Sequence, residues 1–170
     1  MDGKTEAILD TSVLINFAAI GRLDLLRSHS LCTFIISDHV RDEVKEHFEE
    51  QFDAVNAAIT DGTVKEVTAV DPDELADFAT LDAQRNLGTG ECSAIAVAKH
   101  RSIPLAMDDR RARNRAAEFH SAIQLLSTES LMISLIHDGV LTVEQADEIK
   151  LDWETNHSFK LKFGSFAEKI

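Results

Sequence analysis

The stretch Ala7-Ile8-Leu9-Asp10-Thr11-Ser12-Val13-Leu14-Ile15 decides how this chain folds. Three apolar residues run into a carboxylate, two small hydroxyl residues and then a second apolar segment. A short apolar run closed by polar residues signals a buried strand, and the segment behind it reads as a helix. Asp10 therefore falls at the C-terminal end of a first strand, the edge where ligands bind in open parallel sheets. Asp10 can equally cap a helix that starts at Ser12, so its sequence context leaves both roles open.

Outward from this point the same unit recurs. Thr33–Ile36, Val64–Val67, Ile103–Met107 and Ala122–Leu126 read as further strands, with amphipathic segments between them. Such alternation specifies an α/β fold with a parallel sheet. Ser37 or Asp38 caps a helix whose apolar stripe runs Val40, Val44, Phe48, Phe52. Asp71-Pro72-Asp73-Glu74 opens another, with proline in its first turn and acids at the positive end of the dipole. Thr128 and Thr142 read as caps of two late helices, Thr142 with Gln145 as a capping box, and His137-Asp138-Gly139 closes the first of them. Phe159, Leu161 and Phe163 alternate with Lys160 and Lys162, a pattern that an edge strand, a packed tail and a partner contact all fit. No repeat or linker interrupts the chain. Residues 1–170 read as one domain, with a core over about 6–140 and a C-terminal helix and tail over 141–170.

A chain of 170 residues, 44% hydrophobic and 28% charged, is long enough for one core and short for two. No apolar run approaches the roughly 20 residues of a membrane helix, and the polar segment Met1–Glu6 is not a secretory signal. Cys32 and Cys92 read as reduced, buried thiols of a cytoplasmic protein. The net charge of −13 excludes a general nucleic-acid glove, which needs a basic face. Residues 1–99 hold 19 acids against 8 bases and residues 100–170 hold 11 against 9, with four arginines between Arg110 and Arg115. Most of the acids fit a solvated surface. The remainder point to carboxylates gathered for a metal, and the arginines to one local anion-binding spot.

Four positions place acids where they are costly. Asp10 is one. Asp108 and Asp109 repeat its placement after the run Ile103–Met107, and two adjacent carboxylates repel unless something neutralises them; helix capping explains only one of the pair. Glu91 shares a helix face with Ala94, Ile95 and Ala98, so it either meets a partner or metal in the interior or gains from the helix N-terminus. Glu43 borders the Val40/Val44 stripe, and periodicity alone would leave it at the surface.

Four segments in order resemble the PIN-domain ribonuclease family: Ile8–Ile15, Val40-Arg41-Asp42-Glu43-Val44, Leu87-Gly88-Thr89-Gly90-Glu91-Cys92-Ser93-Ala94-Ile95-Ala96, and Pro104–Arg113. Leu125–Gly139 resembles the last strand and helix of a VapC-like toxin branch with glutamate at the third acidic position. The resemblance implies a Rossmann-like three-layer fold with helices on both faces of the sheet. It further implies a Mg²⁺- or Mn²⁺-dependent endoribonuclease that cleaves single-stranded RNA by metal-activated water, leaving 5′-phosphate and 3′-hydroxyl ends. By position, Asp10, Glu43, Glu91 and Asp109 would form the catalytic quartet, with Asp10, Glu91, Asp109 and the adjacent Asp108 as metal ligands. Ser12 matches the family's small polar residue near the metal. A protein antitoxin and pairing into a homodimer would also follow, with Leu131, Leu135, Trp153 or Phe159–Phe163 as apolar contact surface.

The donor set suits this chemistry. Hard divalent cations take oxygen ligands, neutralise a phosphodiester and acidify water. Arg110 and Arg113, at the rim of such a pocket, are placed either to grip flanking phosphates or to neutralise nearby acids. His39, His47 and His100 have no zinc-type spacing and read as surface or core residues, and Trp153 reads as packing. Two other readings stay open. A haloacid-dehalogenase-like phosphatase would need an aspartate where Ser12 stands, and a catalytically silent PIN-like binding module would be expected to lack one of the four acids.

Overall fold

The five apolar runs become the five strands of one sheet in the computed structural model, which describes residues 3–170; Met1 and Asp2 of the polar N-terminal segment lie outside the described residues. In chain order the strands are β1 (Thr5–Leu9), β2 (Cys32–Ser37), β3 (Val64–Val67), β4 (Leu105–Ala106) and β5 (Leu125–Leu126). All pair in parallel, in the order β3-β2-β1-β4-β5. The last two are shorter than their apolar runs; Pro104 has no N–H to give the ladder, and only its carbonyl is used, by Ile8 N–H.

Side chains alternate between two cores because both sheet faces are covered. Ala7, Leu9, Phe34, Ile36 and Ala106 join one, with α1 (Thr11–Ala19), α3 (Asp38–His47), α4 (Glu49–Thr60), α8 (Thr128–His137) and α9 (Val143–Asn156). Ile8, Ile35, Leu105 and Met107 join the other, with α5 (Pro72–Ala83), α6 (Thr89–Arg101) and α7 (Arg110–Phe119). The short α2 (Asp24–Arg27) adds Leu25 and Leu26 to the first core. This is the α/β three-layer arrangement expected.

Several local expectations change. The Val40-Val44-Phe48-Phe52 stripe belongs to two helices: Phe48 leaves helical geometry at φ −134°, ψ 53°, and α4 restarts at Glu49. The break lets Phe48, Phe52 and Val55 reach one core, and it places Glu49 and Glu50 at a new positive helix end. Ser37, not Asp38, caps α3, accepting from Val40 N–H. Ser127, not Thr128, caps α8. Thr142 and Gln145 form the expected capping box, and Gly139 takes the left-handed conformation (φ 71°) after α8.

The alternating C-terminal segment is a packed tail. Phe159, Leu161 and Phe163 lie against the first core, Phe159 edge-on to Trp153. Ser165 Oγ and Phe166 N–H donate to Asp147 of α9 at 2.5 and 2.8 Å. Leu131, Leu135 and Trp153 are buried in the chain's own core, so they do not offer the apolar contact surface expected for pairing. Among the described residues, no helix is long and apolar enough to cross a membrane.

Trp153 docks α9 on α1 through its ring and through Nε1–H, which donates to Asn16 O at 2.6 Å. Trp153→Phe is expected to cost about 2–3 kcal/mol in urea unfolding, from the lost buried bond and lost contact. Leu151→Ala, at a position 63% exposed on the same helix, should stay within about 0.5 kcal/mol. Equal effects of the two would show that the indole anchors nothing.

Candidate metal centre

Strand β1 lies between β2 and β4, and the connections leaving β1 and β4 run to opposite sides, toward β2 and β5, so they diverge and open a crevice at the C-terminal ends of these two strands. Asp10 leaves β1 there, and its N–H donates to Ala106 O of β4 at 2.9 Å. Asp109 follows β4 three residues later. Glu43 comes from α3 and Glu91 from the first turn of α6. The four acids feel one another: Glu91 and Glu43 both push Asp10 toward its neutral form, and Asp109 and Glu43 do the same to Glu91.

Asp10 is the most costly of them. It is 2% exposed and occupies the cap position of α1 without making a side-chain cap. Ser12 Oγ donates to Oδ2 at 2.8 Å, whereas Oδ1 is buried with no partner. Burial pushes the carboxyl up to about 7; the Ser12 bond opposes this, and Glu91 and Glu43 add to it. Glu91 is half-buried and accepts Gly88 N–H at 2.9 Å, closing the first turn of α6. Burial, then Asp109 and Glu43, raise its carboxyl against the pull of the Gly88 bond and Arg111. Glu43 accepts Thr11 Oγ1–H at 2.9 Å. Asp109 is exposed and caps α7, accepting Ala112 N–H at 2.8 Å through Oδ1.

An orphaned, buried carboxylate oxygen beside three further acids is a hard-oxygen donor set, and these residues fit a Mg²⁺- or Mn²⁺-class ion. Among the described residues, no three of the four bring one ligand atom each within 4.8 Å of one another. Among the described residues that closeness belongs to Asp71, Asp73 and His100. Their surroundings explain it: Asp71 caps α5 through Asp73 N–H, and His100 Nε2 meets Asp77 at 2.6 Å.

Two of the residues expected at the site have structural partners of their own. Asp108, expected as a further metal ligand, has both oxygens engaged elsewhere: Oδ1 accepts Thr128 N–H at 2.8 Å, and Oδ2 accepts Thr128 Oγ1–H at 2.6 Å and Asn16 Nδ2–H at 2.9 Å. The adjacent pair is thus relieved by hydrogen bonds to different elements. Arg113, expected to grip substrate, donates Nη1–H to the carbonyls of Met107 and Leu126 at 2.7 Å each and ties the ends of β4 and β5 together. Arg110 is exposed.

Sequence reasoning missed Thr11 and Gly90. A β-carbon at Gly90 would overlap Glu43 Oε2 and stand 3.2 Å from Thr11 Oγ1. Gly90 has no positive φ; the position lacks a side chain because the Glu43 carboxylate occupies that space. The signal available was a glycine inside the first turn of a helix, where alanine would be favoured by about 0.5–1 kcal/mol.

Residues 6–151 match the family model described as DUF3368: PIN domain. A search among curated proteins gives no match. Among solved structures the chain is similar to PAE2754 from Pyrobaculum aerophilum, with 16% identity and a TM-score of 0.52 over 79% of this chain and 98% of that one. It also resembles a PilT N-terminus domain protein, SSO1118, from the archaeon Sulfolobus solfataricus, with 19% identity and a TM-score of 0.48 over 74% and 89%. The first likeness supports the fold.

Two outcomes follow from this geometry. With a folded pKa of about 7 against 3.8 for the free group, Asp10 binds its proton more tightly when folded. Its favourable contribution is full below about pH 3.8 and lost as pH rises through 7, up to about 4 kcal/mol. Without metal, Asp10→Asn should therefore gain stability over wild type progressively between about pH 4 and 7 in denaturant titrations and level off above, and a pH-independent difference would contradict it. Gly90→Ala should keep or slightly raise the metal-free Tm while shrinking the Tm rise that Mn²⁺ produces. The shifted group is the mobile end of Glu43, so in a Glu43→Ala background the same change should leave the Mn²⁺ response alone; an undiminished response in the single variant would exclude the steric role.

Proposed function

The chain belongs to the PIN-domain family, and from that premise we propose that it is a divalent-metal-dependent endoribonuclease that hydrolyses single-stranded RNA. PIN domains are typically metal-dependent nucleases. The observation that carries the reading is Asp10, buried with Oδ1 undonated at the sheet edge where Glu43, Glu91 and Asp109 converge. A phosphatase of the haloacid-dehalogenase kind is set aside by family membership; where that chemistry needs a second aspartate, Ser12 instead donates to the first.

When bound, Mg²⁺ or Mn²⁺ supplies charge neutralisation at the phosphate and acidifies water. Asp10 and Asp109, fixed by the ends of neighbouring strands, are the residues we assign as its principal ligands, with Glu91 and Glu43 completing the set. Ser12 holds Oδ2 of Asp10 and leaves Oδ1 free to ligate. Thr11 and the Gly88 N–H hold Glu43 and Glu91 in the same way, each engaging one oxygen. Burial holds the Asp10 carboxyl at about 7, so near neutral pH it is only partly ionised, and since it must be ionised to ligate, occupancy is tied to pH. Arg110 sets positive charge at the rim for a phosphate next to the one cut.

The same reading places the protein in the cytoplasm as the toxin of a VapC-type pair, with glutamate as its third acid. A cationic antitoxin segment would neutralise the acids, and a second copy of the chain would complete a homodimer.

End-labelled single-stranded RNA tests the activity. Cleavage is expected with Mn²⁺ and is abolished by EDTA. Asp10→Asn should lower the rate on the order of 100-fold or more while the protein stays folded. RNA left intact by pure wild type across Mg²⁺ and Mn²⁺ would favour a silent binding module.

A further inference from the structure

A cavity of about 580 Å³ opens beside Asp109, between the segment at Asn86 and one face of α7. That helix lines it with Arg110, Arg111, Asn114, Arg115 and Glu118, so three guanidiniums face two carboxylates, Asp109 and Glu118, and Glu118 is taken up by Arg115 at 3.2 Å. In a chain of net charge −13 this concentration of cations is unusual. Arg110 and Arg111 are exposed, and among the described residues neither has a carboxylate within the ion-pair distance that Arg115 makes to Glu118. The amides of Asn86 and Asn114 are exposed too.

Beside residues 88–89 lies a second concavity of about 340 Å³, lined by Asp42, Glu43 and Glu46, by His39 and His47, and by Gly88 and Thr89. Each imidazole stands by a carboxylate, His47 3.7 Å from Glu46 and His39 3.1 Å from Asp38. Asp109 thus borders a cationic cleft and Glu43 an acidic one, with the candidate metal centre between them.

We propose that the cavity beside Asp109 binds the nucleotides on one side of the scissile phosphate, and that the strand makes its binding contacts on that side alone. The proposal rests on the ribonuclease reading for the position of the cut. Guanidiniums take phosphate oxygens or stack on bases, and carboxamides meet base edges, so the cleft carries both groups that a single strand needs. Beyond the metal centre, Asp42 and Glu46 would face the continuing phosphates with like charge, so the strand gains nothing by entering there. A one-sided footprint follows.

Fluorescence anisotropy with labelled single-stranded RNA, on the Asp10→Asn protein in Mg²⁺, reads binding without turnover. Arg111→Ala in that background should weaken binding about tenfold and lower the slope of log K against log salt by about 0.7, the value for one lost phosphate contact. Asn114→Ala should weaken it less and leave the slope alone, and Glu46→Gln should not weaken it. Cleavage by wild type of two oligonucleotide series, shortened from the 5′ or from the 3′ end, should tolerate shortening on one side and lose at least about tenfold on the other. Binding unmoved by Arg110→Ala and Arg111→Ala, no measurable binding, or equal losses from both ends would overturn the proposal. Poly-aspartate competing as well as RNA would reduce the cleft to bare charge and overturn it too. Arginine-dependent binding with no hydrolysis by wild type would instead leave the cleft standing and remove the ribonuclease reading.

Discussion

A carboxylate 2% exposed, with one oxygen undonated, is the group around which the rest of this structure is arranged. Ionised in a dry interior it would be strongly unfavourable, and protein interiors admit such groups only when they are paired, protonated or bound to a cation. Asp10 is put there by backbone geometry. It ends the central strand of a parallel sheet, and the ladder bond from its own N–H to Ala106 fixes it against β4. The neighbouring sequence then manages the consequence. Ser12 satisfies one oxygen, Thr11 holds Glu43 back on its own hydroxyl, and Gly90 leaves room for that glutamate.

How much of this was legible depended on whether the cause was local. Strand ends and helix starts are local, so Asp10, Glu91 and the α/β alternation could be read from apolar runs and caps. Glu43 was ambiguous by periodicity because what fixes it is Thr11, 32 residues away in sequence. Asp108 and Asp109 were indistinguishable as neighbours. They part because Thr128 and Asn16, on α8 and α1, claim the first, while the second caps the helix that follows it. Arg113 looked like its neighbours in the arginine cluster, yet its Nη1 donates to the carbonyls of Met107 and Leu126 where β4 and β5 end, the second of which also accepts Met107 N–H. A guanidinium with several donors suits such a place.

The C-terminal segment gains a purpose from the same view. Trp153 donates to the carbonyl of Asn16, whose side chain donates to Asp108 and Thr128. A buried chain of hydrogen bonds therefore runs from α9 through α1 to the residue just before Asp109. Networks of this kind are rigid when every member is satisfied, and this one fixes the strand end that carries the fourth acid. The tail beyond α9 is fastened to it by Asp147, which receives both Ser165 and the backbone of Phe166.

The strand order carries a consequence for synthesis. The central strand is made first, but its partner on one side, β4, is made only after three of the four acids have been translated. A growing chain that ends before β4 holds Asp10, Glu43 and Glu91 without the last carboxylate, without the arginine-lined cleft and without the chain of hydrogen bonds that steadies Asp109. On the ribosome such a chain lacks part of the site described above. If the protein acts as proposed, the order in which its strands are written withholds the complete site until β4 and the start of α7 have been made.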